Sequence, residues 1–465
     1  MTNNAKHIVG SPVLSEGKHF GTDGIRGKAG TFLSPALALQ LGYWTGKLLE
    51  KEGPILIGKD SRESGDMLTS ALSAGLTAAG RDVWTIGLCP TPAIPCLIRK
   101  FNTAGGIMVS ASHNPPGDNG IKIFEASGCK IHKELQNDLE NHLQGCEIST
   151  AENKSKAYGK SYKRFELLEI YEETLLESVK ERSLNGVSII LDLCWGSATA
   201  NGKSIFKKLG ANITALHGEP DGKKINVGCG STNINLLRQA VLEKGADMGF
   251  AFDGDSDRMI GVDGEGRLIN GDHVLYLWGL ELKERNLLPG NRLVSTVMSN
   301  VGFELEWKAK GGILSRTPVG DQNVYAEIIN KGAYLGGEPS GHILSSINNY
   351  SGDGLLSALQ ISTICKNKGL SLSQWMDQSF KPFPQKLINV QFKRDANYDK
   401  WENCEPLNDA VLEAEAAIGG KGRVLLRPSG TEPLLRVMVE AQDPSLVNSW
   451  TKRIAELAEK HLDVA

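Results

Sequence analysis

"GADMGFAFDGDSDR", residues 245–258, is the stretch on which the fold turns. A helix-patterned segment ends at Gly245. A short apolar run follows to Phe252, and Asp253, Asp255 and Asp257 then come at alternate positions. The same shape recurs in "GGIMVSASHNP" (105–115) and in "GAYLGGEPSGH" (332–342). Outward from these, the apolar runs "PILIG" (54–58), "VWTIGL" (83–88), "SIILDL" (188–193) and "DMGFAF" (247–252) alternate with amphipathic stretches such as "MLTSALSAGLTAAG" (67–80) and "INLLRQAVLEKGA" (234–246). Strands alternating with helical patterns imply βαβ units and largely parallel sheets. Three strand-to-polar-loop modules suggest three similar α/β domains, each giving one loop to a shared site, although the loops share no sequence.

The charged stretch "KRFELLEIYEETLLESVKERS" (163–183) precedes a new strand, and "GVDGEGRLINGDHVLYLW" (261–278) reads as a hairpin followed by a helix. The two prolines of "FKPFPQKL" (380–387) mark a break before a smaller unit with a C-terminal helix, "SLVNSWTKRIAELAEKHL". The expected domains are 1–165, 166–268, 269–380 and 381–465, in keeping with 465 residues at roughly 100–200 per domain.

Composition narrows the class. Lys and Arg total 51 against 54 Asp and Glu, a net charge of −3 with His neutral. That balance argues against a dedicated nucleic-acid or membrane surface. Eight cysteines are scattered without a CxxC, which is neither a zinc pattern nor a disulfide framework, so reduced thiols are expected. The N-terminal stretch lacks a signal-peptide core, and no run approaches the ~18 apolar residues of a membrane span. The expectation is a cytoplasmic protein, monomer or homodimer, acting on a small molecule.

The loops carry the chemistry. Three carboxylates aimed at one point repel each other unless a cation sits among them, and oxygen donors suit Mg²⁺ or Ca²⁺. An EF-hand fails, because Arg258 and Gly264 stand where its loop needs Gly and Glu. "RPSGTEP" (427–433) offers a guanidinium, two hydroxyls and a glycine, the inventory for gripping phosphate. Glu338 and Ser340 in "GEPSGH" suit sugar hydroxyls, which both donate and accept. Arg26 sits between glycines in "FGTDGIRG" (20–27), readable as a turn or as an anion contact. Ser112 lies in a loop stiffened by Pro115 and Pro116, with Lys122 on the returning strand. No GxSxG or Ser/His/Asp arrangement serves a hydrolase. A serine reacting near three aspartates fits phosphate chemistry: a phosphoserine carries about −1.5 to −2 charges and needs a divalent cation beside those carboxylates.

In this order, "SASHNPPGDNGIK", "DGDSDR", "GEPSGH" and "RPSGTEP" resemble the loops of the α-D-phosphohexomutases, over about residues 19–440. "FGTDGIRGKAG" and "RPSGTEPLLRVMVE" are most similar to the glucosamine branch of that family. The resemblance implies a four-domain heart-shaped architecture, three related α/β domains plus a smaller α+β C-terminal domain. It implies a phosphorylated Ser112, and one Mg²⁺ per active site held by Asp253, Asp255, Asp257 and the Ser112 phosphate. Lys122, Arg26 and His342 assist the transfer. Arg258, Thr317, Gly320, Glu338 and Ser340 face the sugar, and Arg427, Ser429, Gly430 and Thr431 hold the phosphate that is not reacting. The implied activity is a reversible mutase working through a sugar 1,6-bisphosphate, whose product feeds UDP-N-acetylglucosamine synthesis. Phosphomannose and phosphoglucose turnover are the alternatives within the family. Pro339 stands where the glucosamine branch commonly has Gln, and Ser256 where Gly is common. His113 has no assigned role. Two rivals from other classes are an aspartate-nucleophile phosphatase, since "FDGDSD" also resembles a strand-ending DxD motif, and a non-catalytic sugar-phosphate sensor. The serine loop is expected to be exposed, so that Ser112→Ala removes activity and leaves the fold intact.

Overall fold

The computed structural model describes residues 13–15, 17–21, 23–145, 157–180, 182–347, 349–391, 401–428 and 434–462. Its contacts divide the chain into two units, residues 1–298 with 313–379, and residues 299–312 with 380–465.

Three sheets build the first unit. The first contains β1 (Phe20–Gly21), β2 (Gly24–Lys28), β3 (Ile55–Lys59), β4 (Val83–Leu88), β5 (Gly105–Val109), β6 (Asp118–Glu125) and β7 (Ser161–Lys163), in the order β1-β2-β6-β5-β3-β4-β7. The second contains β8 (Ser188–Asp192), β9 (Asn212–Leu216), β10 (Met248–Phe252), β11 (Met259–Asp263) and β12 (Leu268–Ile269), in the order β12-β11-β10-β8-β9. The third contains β13 (Arg292–Thr296), β14 (Ile313–Thr317), β15 (Leu335–Gly337), β16 (Ile343–Ser345) and β17 (Asn349–Gly352), in the order β14-β13-β15-β16-β17.

One device is common to all three sheets. A strand lies parallel to its inner neighbour (β5 on β3, β10 on β8, β15 on β13) and antiparallel to the strand that follows it (β6, β11, β16). The polar loops singled out in the sequence are the connections of these three hairpins. The apolar strand before each loop is buried, so the loop starts from a fixed point.

Core packing explains the local choices. Ile55, Ile57, Ile107 and Val109 meet Leu37, Leu41, Leu68, Leu72 and Leu76 of helices Pro35–Leu48 and Gly65–Ala78. These helices touch backbone to backbone: a Cβ on Gly75 would lie 2.0 Å from the Leu39 carbonyl oxygen, so only glycine fits there.

The second unit has an antiparallel sheet of β18 (Gln385–Gln391), β19 (Gly422–Pro428) and β20 (Leu434–Ala441), with β20 central. Helices Glu405–Ile418 and Pro444–His461 bury Leu407, Ala414, Ile454 and Ala458 against Leu435, Val437 and Val439. Helix Val301–Ala309 belongs here, although its sequence lies between β13 and β14. Asn300 brackets Phe383 with two hydrogen bonds, Val301 N–H donates to buried Glu440 at 2.8 Å, and the rings of Phe303 and Phe380 lie 5.4 Å apart.

Candidate active site

The serine loop follows β5 and is held from below. Ser112 has φ +53°, the left-handed region that residues with a Cβ rarely adopt, and it is 1% exposed. Ser112 itself is buried, whereas His113, Asn114, Pro116 and Asp118 are half-buried and Pro115 and Gly117 exposed, so the expected exposure holds for the rest of the loop and not for its serine. The Ser110 hydroxyl accepts from Ser112 N–H at 2.9 Å and donates to Asp60 at 2.6 Å. Asp60 pairs with Arg62 at 3.0 Å, both side chains fully buried. The Arg62 guanidinium then donates to four loop carbonyls, those of Ser112 (3.0 Å), Asn114 (2.7 Å), Asp118 (2.9 Å) and Pro115. Asn226 adds its amide to the Ser112 and Asn114 carbonyls at 2.8 and 3.0 Å. A rigid donor fork suits this task, and with several strong partners the strained Ser112 backbone persists.

Above this base the hydroxyl meets the acidic loop. Ser112 Oγ donates to Asp253 Oδ2 at 2.6 Å and lies 3.2 Å from His113 Nδ1. Asp253, Asp255 and Asp257 are buried and bring carboxylate oxygens within 4.8 Å of one another. Lys122, on β6 and fully buried, places its ammonium 2.7 Å from Asp255, 3.0 Å from Asp257 and 3.1 Å from Asp23. Burial alone would lower its pKa, but these three carboxylates outweigh it and hold the ammonium well above its ordinary value. Asp257 is held well below the usual range because Lys122 and His342 overcome its burial. Asp253 goes the other way: burial, with Asp257 and Asp255 beside it, pushes its carboxyl well up.

The donor set fits a hard divalent cation. It is all oxygen, Asp255 Oδ1 is buried with no hydrogen-bond partner among the described residues, and the raised Asp253 marks negative charge that the protein's own cations leave unbalanced. Ser256, in this loop, has φ +61° and turns its hydroxyl to Ser197 at 2.9 Å, away from the carboxylates.

The remaining residues are placed as follows. Arg26 pairs with Asp23 and reaches the Ala111 carbonyl at 3.4 Å. Arg258 donates from its backbone N–H to Asp253 at 3.1 Å, and its guanidinium lies 3.3 Å from His113 Nδ1. Burial first, then Arg258 and Arg26, bring the His113 imidazole down to about 4, so it is neutral at pH 7 and accepts. His342 lies 3.5 Å from Asp257 and 3.6 Å from Asp321. Its burial opposes charge, but both carboxylates raise it. Glu338 accepts from Gly320 N–H at 3.1 Å, which joins the "GEPSGH" loop to residues 316–321, "RTPVGD". Thr317 is buried and donates to the Pro318 carbonyl, while Ser340 is exposed. Arg427 lies near the end of β19 in the second unit, paired in register with Arg436 on β20. Ser429, Gly430 and Thr431 lie outside the described residues.

Sequence reasoning missed several residues that hold this arrangement. Asp23 joins Arg26, Lys122 and Lys130, and Lys130 reaches on to Asp321. Thr91 donates to Asp255 from both its hydroxyl and its backbone N–H. A signal existed for Asp60 and Arg62: "PILIG" runs straight into "KDSR", another apolar strand ending in charged residues.

Comparison with known proteins matches this geometry to a family. Models described as phosphoglucomutase/phosphomannomutase domains I, II, III and the C-terminal domain match residues 17–147, 169–266, 270–383 and 387–457. The phosphoglucosamine mutase of Prochlorococcus marinus (strain MIT 9313) is 58% identical over 456 residues, covering 98% of this chain and 97% of its own. That of Parasynechococcus marenigrum (strain WH8102) is 57% identical over 465 residues, covering both chains in full. A crystal structure of a phosphoglucomutase/phosphomannomutase family protein from Burkholderia thailandensis shares the fold with a TM-score of 0.79 at 23% identity, covering 96% of this chain and 99% of its own. So does Aspergillus fumigatus N-acetylphosphoglucosamine mutase, solved in complex with GlcNAc-6P and magnesium, with a TM-score of 0.68 at 17% identity and 96% of each chain covered. With its four domains matched in order and close relatives along its whole length, the chain belongs to the phosphoglucomutase/phosphomannomutase family.

Proposed function

We propose that this chain interconverts glucosamine 6-phosphate and glucosamine 1-phosphate, with Ser112 as the phosphoryl carrier and a 1,6-bisphosphate as the intermediate. The relatives named phosphoglucosamine mutase, 55–58% identical over nearly the full length, support the substrate. The observation that carries the mechanism is the Ser112 hydroxyl, 2.6 Å from Asp253 within a buried cluster of three aspartates and Lys122.

In the first half-reaction the bond from phosphorus to Ser112 Oγ breaks and a bond to the sugar's O1 forms. The O1 proton leaves to a base on the sugar side. Lys122, held protonated by three carboxylates, neutralises charge that develops on Ser112 Oγ and is suited to give it a proton rather than take one. His342, between Asp257 and Asp321, is likewise favoured in its charged form and assists as a second donor. Neutral His113 accepts from Arg258 and lies beside the Ser112 hydroxyl, whose proton goes to Asp253. A magnesium ion, held by Asp253, Asp255, Asp257 and the Ser112 phosphate, would offset the carboxylate charge and polarise the phosphoryl group.

Glu338, fixed through one oxygen by Gly320, keeps the other for a sugar hydroxyl, with Ser340, Thr317 and Arg258 as neighbours in the assignment. Arg427, Ser429, Gly430 and Thr431 are assigned the distal phosphate. The intermediate must turn over so that its second phosphate returns to Ser112; a loop that grips phosphate rather than sugar serves both orientations. The four expected domains, 1–165, 166–268, 269–380 and 381–465, each carry one of these loops. Sugar phosphates do not cross membranes unaided, which favours a cytoplasmic location; among the described residues no helix is long and apolar enough to span a bilayer.

The test is a side-by-side assay with glucosamine, glucose and mannose 6-phosphates. The glucosamine compound should show the highest kcat/KM. A mannose preference overturns the substrate assignment and leaves the mechanism standing.

A further inference from the structure

The described residues bring together a second group with metal-ligating chemistry, Asp192, His217 and Cys229, with Cys194 beside it. Asp192 ends β8, Cys194 follows two residues later, and His217 comes directly after β9. Cys229 lies on a loop that returns over the same sheet edge, where Gly230 N–H donates to Asp192 at 2.9 Å and Ser231 N–H donates to Phe252 at 2.9 Å. The loop lies tightly on this edge: a Cβ on Gly230 would sit 2.4 Å from Cys194 Sγ. Both thiols are fully buried, with their sulfurs 3.9 Å apart. His217 Nδ1 lies 2.7 Å from Asp192 Oδ1, and the ligand atoms of Asp192, His217 and Cys229 all fall within 4.8 Å of one another.

The sulfur separation discriminates between two chemistries. Bonded sulfurs lie about 2.05 Å apart. Two thiolates at about 2.3 Å on a tetrahedral zinc are about 3.8 Å apart. The observed 3.9 Å excludes the first; it is the spacing of an S–H···S contact between thiols and one that a zinc ion could adopt on replacing their protons. Burial points the same way, since thiols that exchange or oxidise are normally open to solvent. The Asp192 oxygens already accept from Cys194 N–H at 3.0 Å, from Gly230 N–H and from His217. That is the pattern of a carboxylate that fixes the tautomer and direction of a metal-ligating imidazole. Cys194, Trp195, His217 and Asn226 all have φ between +51° and +62°, so the segments that supply these donors are themselves held in unusual backbone conformations. The spacing 194, 217, 229 contains no CxxC, which is why the sequence reading passed over it; the sheet edge assembles what the spacing does not announce.

We propose that Cys194, Cys229 and His217, oriented by Asp192, form a second metal site for a borderline-soft cation of the zinc class. Its role is to staple the 217–230 loop to the ends of β8 and β10. That loop matters to the reaction because Asn226 links both sites: its amide nitrogen holds the Ser112 and Asn114 carbonyls, and its oxygen accepts from Cys194 Sγ at 3.1 Å. A metal-bound Cys194 thiolate has no proton to donate, so occupancy removes this bond to Asn226 and acts on the grip on the serine loop through one side chain. The inference does not depend on the mutase reading, because its readout is the metal and not turnover.

The experiment is titration of the full chain with Co²⁺ in the presence of excess Mg²⁺. The expected result is one equivalent bound with a near-ultraviolet thiolate-to-cobalt charge-transfer band, abolished by an equivalent of Zn²⁺. Cys194→Ser and Cys229→Ser should each reduce the band severalfold, whereas Asp255→Asn should leave it in place. Should a serine variant misfold by far-ultraviolet circular dichroism, His217→Gln replaces it, with a blue-shifted and weaker visible spectrum expected. Absence of the band in the wild-type chain overturns the proposal, as does a band that survives both cysteine substitutions. A Cys194–Cys229 disulfide in peptide mapping of protein purified without reductant also overturns it, in favour of a redox pair.

Discussion

Asp253 and Asp192 stand at the ends of neighbouring strands of one sheet, β10 and β8, which pair in parallel register with Ala251 opposite Asp192. Both are fully buried. Yet Asp253 looks onto two more carboxylates and its pKa is driven up, while Asp192 looks onto backbone N–H groups, an imidazole and two thiols. A sheet edge supplies the same rigid platform to both, and the loops decide which donors arrive. The all-oxygen cluster suits a hard cation and phosphate chemistry; the mixed nitrogen and sulfur cluster suits a softer ion with a holding role. The difference teaches that position in the fold selects where chemistry happens, and the neighbours select which chemistry.

That contrast is open to experiment at each level. The largest effect belongs to Ser112→Ala, which should lower kcat by about 10⁴-fold or more in a coupled mutase assay, as expected for loss of a covalent carrier. Near-normal turnover would remove the phosphoserine scheme. Next is Arg62→Ala. It leaves Asp60 buried without its ion-pair partner, a change that costs about 3–5 kcal/mol, read as a lower denaturation midpoint together with reduced kcat. Unchanged stability would mean that the loop is not held from below. Third, Asp255→Asn should cut Mg²⁺-dependent turnover by about 10²-fold and raise the Mg²⁺ concentration needed for half-maximal rate. An unaltered Mg²⁺ dependence would dissociate the triad from the metal.

The smallest effect uses as the control a buried aspartate outside the three-aspartate cluster. Asp353 caps helix Gly354–Lys368 through Leu356 N–H at 2.9 Å, accepts from Tyr171 at 2.9 Å, and is raised to about 6, chiefly by burial. Its folded pKa is above the ordinary value of 3.8, so the folded state binds the extra proton. Stability from this group is present at low pH and is lost as pH rises from about 4 to about 6, by at most about 3 kcal/mol. Asp353→Asn should flatten that part of the stability profile measured by urea denaturation; an unchanged slope would contradict the assignment.

The chemistry-bearing loops were legible because each follows an apolar strand at a spacing that a one-dimensional pattern can express. "DGDSDR" and "SASHNPPGDNGIK" show their strand, their turn and their reactive groups in a single run. What was not legible depends on reach across the sheet. Arg62 and Asn226 act on Ser112 from 50 and 114 residues away; the strand-ending "KDSR" marks Arg62 as a loop residue without naming its partner, and no neighbour of Asn226 announces its contact. The burial of Ser112 follows from those contacts, while the tip of its loop, Pro115 and Gly117, stays exposed as read. The Asp192–His217–Cys229 group, with Cys194 beside it, was passed over for the same reason, since Asp192 and His217 meet only when β8 and β9 lie side by side. Helix Val301–Ala309 lies between two strands of the third sheet, and nothing in its amphipathic pattern says that it joins the C-terminal unit through Asn300 and Glu440.

The central claim is that Ser112 carries the phosphoryl group through turnover. It is tested most directly by a single-turnover experiment. The enzyme is labelled with a radioactive phosphoryl group, the label is mapped to Ser112 by peptide analysis, and the labelled enzyme is mixed with glucosamine 6-phosphate and Mg²⁺. The account predicts that the label leaves Ser112, passes through a glucosamine bisphosphate and ends on glucosamine 1-phosphate, with no inorganic phosphate released. Label that stays on the protein while isomerised sugar accumulates, or that appears as free phosphate, would contradict it.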